Sequence, residues 1–337
     1  MSNINFADVI LDLSYGDCGK GKVTYDLCRR VGYTHVMRFN GGPNAGHTIY
    51  HNGIKFVTHQ VPTGVFHGAK CIIGPGCVVD VDKFLSEISY LEEHGISTKG
   101  KVFISKNAHL ITDKHLLIDQ KDKHIGTTKQ GVGPAYVDKF NRKGTRAEDL
   151  KHILKDYLID IYEEFYKKGK EIDLLCEGAQ GFYLDVDWGD YPYVTSSGCN
   201  IGTVISNGVP FNKIRNVYGV CKAYDTYVGG KVFQDANDNR LNKIRELGQE
   251  YGATTGRPRQ CNWLNLNAIK KAADINQITH LIVNKIDVLD TLGEYAILDE
   301  HSVEEMNRED FVYKIKSSFP EMEEQGNITF STNPYRI

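Results

Sequence analysis

Seven residues, Gly16-Asp17-Cys18-Gly19-Lys20-Gly21-Lys22, constrain this chain more than any other stretch. They follow an apolar run, Val9-Ile10-Leu11-Asp12-Leu13, and precede a helical pattern that starts near Val23-Thr24-Tyr25. A buried strand, a glycine loop and a helix in that order fit G-x-x-x-x-G-K. Glycines let backbone N–H groups close on phosphate oxygens, and a helix N-terminus adds positive potential. Lys20 and Lys22 add charge. Val23 stands where the standard motif has the Ser or Thr that holds magnesium. Asp17 is therefore the candidate to hold the metal. An ordinary strand–helix turn is the plain alternative.

Further strands are expected at residues 35–39, 70–74, 77–79, 172–176, 216–221 and 280–283. Helical periodicity covers 81–94 and 147–168. Strands alternating with helices argue for an α/β chain built on a mostly parallel central sheet, P-loop-NTPase-like, with small subdomains. The reading is one large domain over 1–337. Residues 109–147, polar and rich in glycine, form a functional excursion within it. In such sheets ligands gather at the carboxyl ends of strands, where several glycine loops fall here.

A net charge of −3 gives no global basic field, so no nucleic-acid partner is expected. No apolar run approaches the roughly 18 residues of a membrane helix, and the N-terminus lacks a signal-peptide pattern. None of the eight cysteines forms a C-x-x-C pair. Free thiols in a reducing cytoplasm are expected.

Asn40-Gly41-Gly42-Pro43-Asn44-Ala45-Gly46-His47-Thr48 follows the second strand and makes a poor core segment. Its glycines can bring carbonyls to a metal, and His47 is a candidate general acid. Asn284-Lys285-Ile286-Asp287 is the N-K-x-D pattern that reads guanine: the carboxylate accepts from N1–H and the 2-amino group, a pair adenine cannot present. Thr254-Thr255-Gly256-Arg257-Pro258-Arg259 offers arginine forks suited to carboxylates or phosphates. Trp263 reads as core. Glu177-Gly178-Ala179-Gln180-Gly181, residues 191–197 and residues 126–136 are polar loops that can wall a substrate.

These motifs, in this order, resemble the adenylosuccinate synthetase family, from Val9 to about Pro334. The resemblance implies a homodimeric, GTP-dependent carbon–nitrogen ligase of purine biosynthesis, requiring Mg2+. GTP phosphorylates O6 of a 6-oxopurine nucleotide, and the amino group of L-aspartate then displaces phosphate at C6. It implies that Asp17 removes the N1 proton and binds magnesium with the Gly46 carbonyl. His47 and Lys20 serve the transferred phosphoryl group. Asn44, Thr128, Gln180, Thr195 and Val228 hold the purine nucleotide, joined by Arg142 from the neighbouring subunit. Thr255, Arg257 and Arg259 capture aspartate. Gly19, Lys20, Gly21, Lys22 and Thr48 bind the GTP phosphates. Lys285, Asp287 and Ser331, in a guanine-binding end at 280–337, bind its base.

Four positions depart from the family pattern: Cys18, Tyr227, Gln260 and Asn333. Cys18, in place of glutamate, is expected close to purine C2, where a lost carboxylate could admit a 2-amino group. That raises dGMP, the substrate of phage relatives, beside IMP. Retention of Asp17 favours IMP. Readings of another class are a GTP-binding switch, which would hydrolyse GTP without aspartate, and a redox role for Cys18 at a helix N-terminus.

Overall fold

A computed structural model describes residues 2–122, 125–167, 169–252, 256–299, 302–333 and 335–337. Nine strands form one sheet: β1 (Ile4–Asp12), β2 (His35–Arg38), β3 (Lys70–Ile73), β4 (Val102–Ser105), β5 (Leu158–Ile159), β6 (Ile172–Glu177), β7 (Ile214–Lys222), β8 (His280–Asn284) and β9 (Ile328–Ser331). The order is β9-β8-β7-β1-β6-β2-β3-β4-β5, and every pairing is parallel. The α/β expectation holds.

β1 is central and buried on both faces, which is why it reads as an unbroken apolar run. Ile10 packs into one core with Val23 and Leu27 of helix α1 (Lys20–Val31). Ala7, Val9 and Leu11 pack into another, with Phe165 and Val204. A third core gathers Leu281 and Val283 of β8 with Trp263, Leu266 and Phe311. Trp263 is fully buried, as expected, and its indole N–H donates to Asp238 at 2.8 Å.

Two sequence expectations change. Helix α1 starts at Lys20, not near Val23, because Gly19 takes a left-handed conformation (φ 94°) and turns the chain early. The periodic stretch at 147–168 is not one helix. It breaks into a short 3-10 turn at Ala147–Leu150, a helical turn at Lys151–Leu154, edge strand β5 and a π-turn at Glu163–Lys167. Pairing of Ile104 and Ser105 with Leu158 and Ile159 overrides local propensity there. Within 109–147, helices Asp113–Lys121 and Val132–Phe140 pack together, the second also against a separate strand pair, Val78–Val79 with His109–Leu110.

Candidate active site

The carboxyl ends of β1, β2, β6, β8 and β9 converge on one cleft of about 1340 Å³. That exceeds the few hundred to ~1000 Å³ of a single small-ligand pocket. It suits several ligands held side by side.

At the end of β1, buried Asp12 organises the glycine loop. Its Oδ1 accepts the backbone N–H groups of Ser14 (3.0 Å) and Gly16 (3.2 Å). Its Oδ2 accepts Cys18 N–H (3.0 Å) and the Lys20 ammonium (2.9 Å). Three N–H groups of this segment thus converge on Asp12, which fixes the path of the loop. Lys20 is buried and also donates to the Gln180 carbonyl at 2.5 Å. Lys22 turns the other way, to Ser331 Oγ (2.9 Å) and the Asn333 carbonyl (3.0 Å). Burial lowers its pKa to about 8. The two lysines of the motif therefore serve different ends of the cleft.

Asp17 is 39% exposed and sits in the left-handed region (φ 58°). Gln180 (φ 56°), Lys285 (φ 65°) and Arg142 (φ 62°) share that conformation, which non-glycine residues hold only when the surroundings impose it. Asp17 pairs with Arg259 at 2.8 Å. Arg257 donates to the Gly126 carbonyl at 3.0 Å, joining the arginine loop to the excursion. Thr255 lies outside the described residues.

His47 opens an antiparallel hairpin, His47–His51 with Ile54–Thr58, turning on Asn52-Gly53, both at positive φ. Its ring is buried against Glu177, the last residue of β6, with Nδ1 on Glu177 Oε1. Arg38, the last residue of β2, reaches both Glu177 (2.8 Å) and His47 Nδ1 (3.0 Å). Thr63 N–H and Oγ–H complete Glu177 at 2.8 and 3.1 Å. Burial, then Arg38, lowers the His47 pKa to about 4. Glu177 is held down at about 2: Arg38 and His47 outweigh the opposing effect of burial.

Gly46, Thr48, Asn44, Thr128, Thr195, Val228 and Asp287 all border the same cleft. Four buried polar atoms around it have no protein partner among the described residues: Asn44 Oδ1, Gln180 Oε1, Asn284 Oδ1 and Arg259 Nε. Orphans of this kind are uncommon in folded proteins, and these four share one cleft. Asn284 Nδ2 donates to the Cys18 carbonyl at 2.7 Å, so the N-K-x-D segment is tied to the glycine loop. Ser331 meets the cleft through Lys22. Arg142 does not border the cleft; it follows helix Val132–Phe140 and is exposed.

Cys18 borders the cleft, and its thiol packs in the core with Val23 and Val220 and donates to the Gly16 carbonyl at 3.4 Å. Burial, with Asp12 nearby, pushes the thiol well up, which removes the redox reading. All eight cysteines are buried and unpaired.

The family model for adenylosuccinate synthetase matches residues 9–164 and 147–325. The adenylosuccinate synthetase of Phocaeicola vulgatus is 42% identical over 332 residues, covering 84% of this chain and 78% of its own. This chain belongs to the adenylosuccinate synthetase family. The Aquifex aeolicus member is 40% identical over 86% of this chain and 78% of its own. The fully ligated Plasmodium falciparum adenylosuccinate synthetase superposes with a TM-score of 0.79 at 28% identity, covering 98% of each chain. A cyanophage S-2L succinoaminodeoxyadenylate synthetase, bound to dGMP with dATP as energy donor, superposes with a TM-score of 0.77 at 21% identity, over 98% of this chain and 94% of its own. The last likeness concerns fold alone. As an adenylosuccinate synthetase family member the chain is a carbon–nitrogen ligase that uses GTP and Mg2+. No helix of the described residues is long and apolar enough to cross a membrane.

Sequence reasoning gave no role to Asp12, Arg38 or Glu250, which pairs with Arg259, and read Glu177 only as part of a polar loop rather than as a strand end. Asp12 and Glu177 carried a readable signal: each is an acid closing an apolar strand of a parallel sheet. Asn52-Gly53 was an equally readable hairpin turn.

Proposed function

We propose that the substrate is IMP, converted with GTP and L-aspartate to adenylosuccinate, GDP and phosphate. The observation that carries this reading is the set of orphaned amides, Asn44 and Gln180, beside Asp17 and the His47–Glu177 pair in one cleft. A purine oxygen leaves C6 only once phosphorylated, so the site needs a base for N1–H and donors for a phosphoryl group. Asp17 is the base. The ionised Glu177 accepts a hydrogen bond from His47 Nδ1–H, leaving Nε2 for the phosphoryl group. Nε2 donates only as imidazolium, which Glu177 stabilises while burial and Arg38 oppose it.

Asn44, Thr128, Gln180, Thr195 and Val228 hold IMP; Thr255, Arg257 and Arg259 take aspartate; Lys285, Asp287 and Ser331 hold guanine, with Gly19, Lys20, Gly21, Lys22 and Thr48 toward the phosphates. Among the described residues no three His, Cys, Asp or Glu side chains could enclose a metal. That fits magnesium, which binds through one or two protein oxygens and the nucleotide's phosphates. Asp17 and the Gly46 carbonyl would hold it, and it would neutralise developing phosphate charge.

Arg142 acts in the site of a second copy, making a homodimer in the cytoplasm. In support, Leu117, Ile118, Val137 and Phe140 are exposed on the two excursion helices, and Ile118 and Val137 also border the cleft. Incubation with GTP, Mg2+ and aspartate plus either nucleotide tests the substrate. Succinylation of IMP is expected; turnover of dGMP alone would overturn the IMP reading, and GTP hydrolysis independent of aspartate would overturn the ligase.

A further inference from the structure

Arg259 stands between two carboxylates. One Nη pairs with Glu250 and the other with Asp17 at 2.8 Å. The back of the guanidinium is fixed. Glu250 is fully buried and also takes the Lys222 ammonium at 3.2 Å and the Tyr224 hydroxyl at 2.7 Å. Arg259's own backbone is pinned as well: its N–H donates to the Glu250 carbonyl at 3.0 Å, and its carbonyl accepts Arg245 Nε–H at 2.6 Å. The front is different. Asp17 is well exposed on a glycine loop, and Arg259 is its one ion pair among the described residues.

A guanidinium offers a carboxylate a planar fork, and each edge accommodates one such partner. With one side committed to Glu250, the cleft-facing side has room for one more. We propose that Asp17 and the carboxylate of the incoming amino acid compete for this side of Arg259, and that docking of aspartate releases Asp17 to the nucleotide. Glu250 is then a positioning residue, which holds the contested edge toward the cleft. The proposal rests on the reading that Arg259 receives aspartate. It adds an exchange of partners, in which the amino donor's arrival frees the base.

The exchange makes an unusual demand on a catalytic residue: removing its charge should improve binding of a substrate. Asp17→Asn keeps shape and tolerates φ 58°, since asparagine enters the left-handed region more readily than most residues. L-aspartate is titrated calorimetrically into protein preloaded with the purine nucleotide it turns over, without GTP. Loss of a partly exposed competing ion pair predicts roughly twofold to fivefold tighter aspartate binding in Asp17→Asn. Arg259→Ala should abolish that binding. Unchanged affinity in Arg259→Ala would overturn the aspartate reading itself. Lost affinity there, with equal or weaker affinity in Asp17→Asn, would overturn the exchange and leave that reading intact. In Glu250→Gln, aspartate affinity should fall while affinity for the purine nucleotide, read in the same cell, stays put. Unchanged aspartate affinity in a folded Glu250→Gln protein would remove its positioning role.

Discussion

At the scale of single residues, His47 is held where a positive charge is unwelcome. Its pKa of about 4 lies below the ordinary 6.5, so the unfolded chain binds a proton near pH 5 that the folded chain does not. Stability therefore rises with pH through that window and falls as pH drops from about 6.5 toward 4. Glu177, at about 2 against 4.5, adds a second loss lower down, between about 4.5 and 2. Asp225 runs the opposite way, because burial raises it from 3.8 to about 6 and its charging costs stability as pH rises. The His47 contribution is isolated by difference. Melting temperatures of His47→Asn and the parent should converge as pH falls from 6.5 to 4, and a constant gap would contradict the assignment. The same pair has a kinetic signature. Glu177→Gln and His47→Asn should each lower kcat by roughly a hundredfold, and the double variant should be little worse, as for residues that act as one unit.

Asp17, His47 and Asp287 could be singled out because each lies in a short motif with fixed spacing, and all three border the one cleft. Arg38 and Glu250 could not. Each lies just outside a motif rather than within it, and acts through a side chain whose carboxylate or guanidinium partner is fixed only once β2, β6 and the arginine loop come together. Lys22 also shows a contact that spacing could not foretell: its ammonium reaches Ser331 and the Asn333 carbonyl, 309 and 311 residues on.

At the scale of elements, the hairpin that begins at His47 rests on the first turn of α1. A Cβ placed on Gly21 would lie 2.6 Å from His47 Cβ. Gly21→Ala should favour the helix intrinsically, since alanine is the better helix former by about 1 kcal/mol. It should nevertheless displace His47. Misplacement of a reacting group by about 1 Å costs on the order of a hundredfold, so kcat should fall at least about tenfold while the helical CD signal is kept. Full activity in Gly21→Ala would mean that the hairpin moves freely over the helix. Strands β1, β6, β7 and β8 were readable as apolar runs because both faces are buried. β5 was hidden, because two residues at a sheet edge leave no pattern that outweighs the helical periodicity around them.

At the scale of the whole molecule, the exposed apolar rows of the excursion helices and the position of Arg142 lead to a test by complementation. Arg142→Ala and Asp17→Asn should each be inactive alone. In a mixed dimer one site combines an intact Asp17 with an intact partner arginine. Equilibrated mixtures should recover about a quarter of parental activity, because half of the dimers are mixed and half of their sites are whole. No recovery would mean that each chain completes its own site. The parallel architecture was legible from alternation of strand and helix; its strand order was not, because register between distant strands is settled by packing.

That order has a consequence for synthesis. Val9 of β1 lies between Cys176 and Val217. β1 thus lies in the interior of the sheet, and both of its neighbours, starting at Ile172 and Ile214, are translated long after it. Until they emerge, β1 has open edges on both sides, and long-range pairing of this kind is slow to form and exposed to aggregation meanwhile. The glycine loop follows β1 directly, yet it lacks a platform until β7 is complete. Nascent chains stalled before residue 214 should fail to retain GTP, and a holdase that shields β1 should raise the yield of active protein.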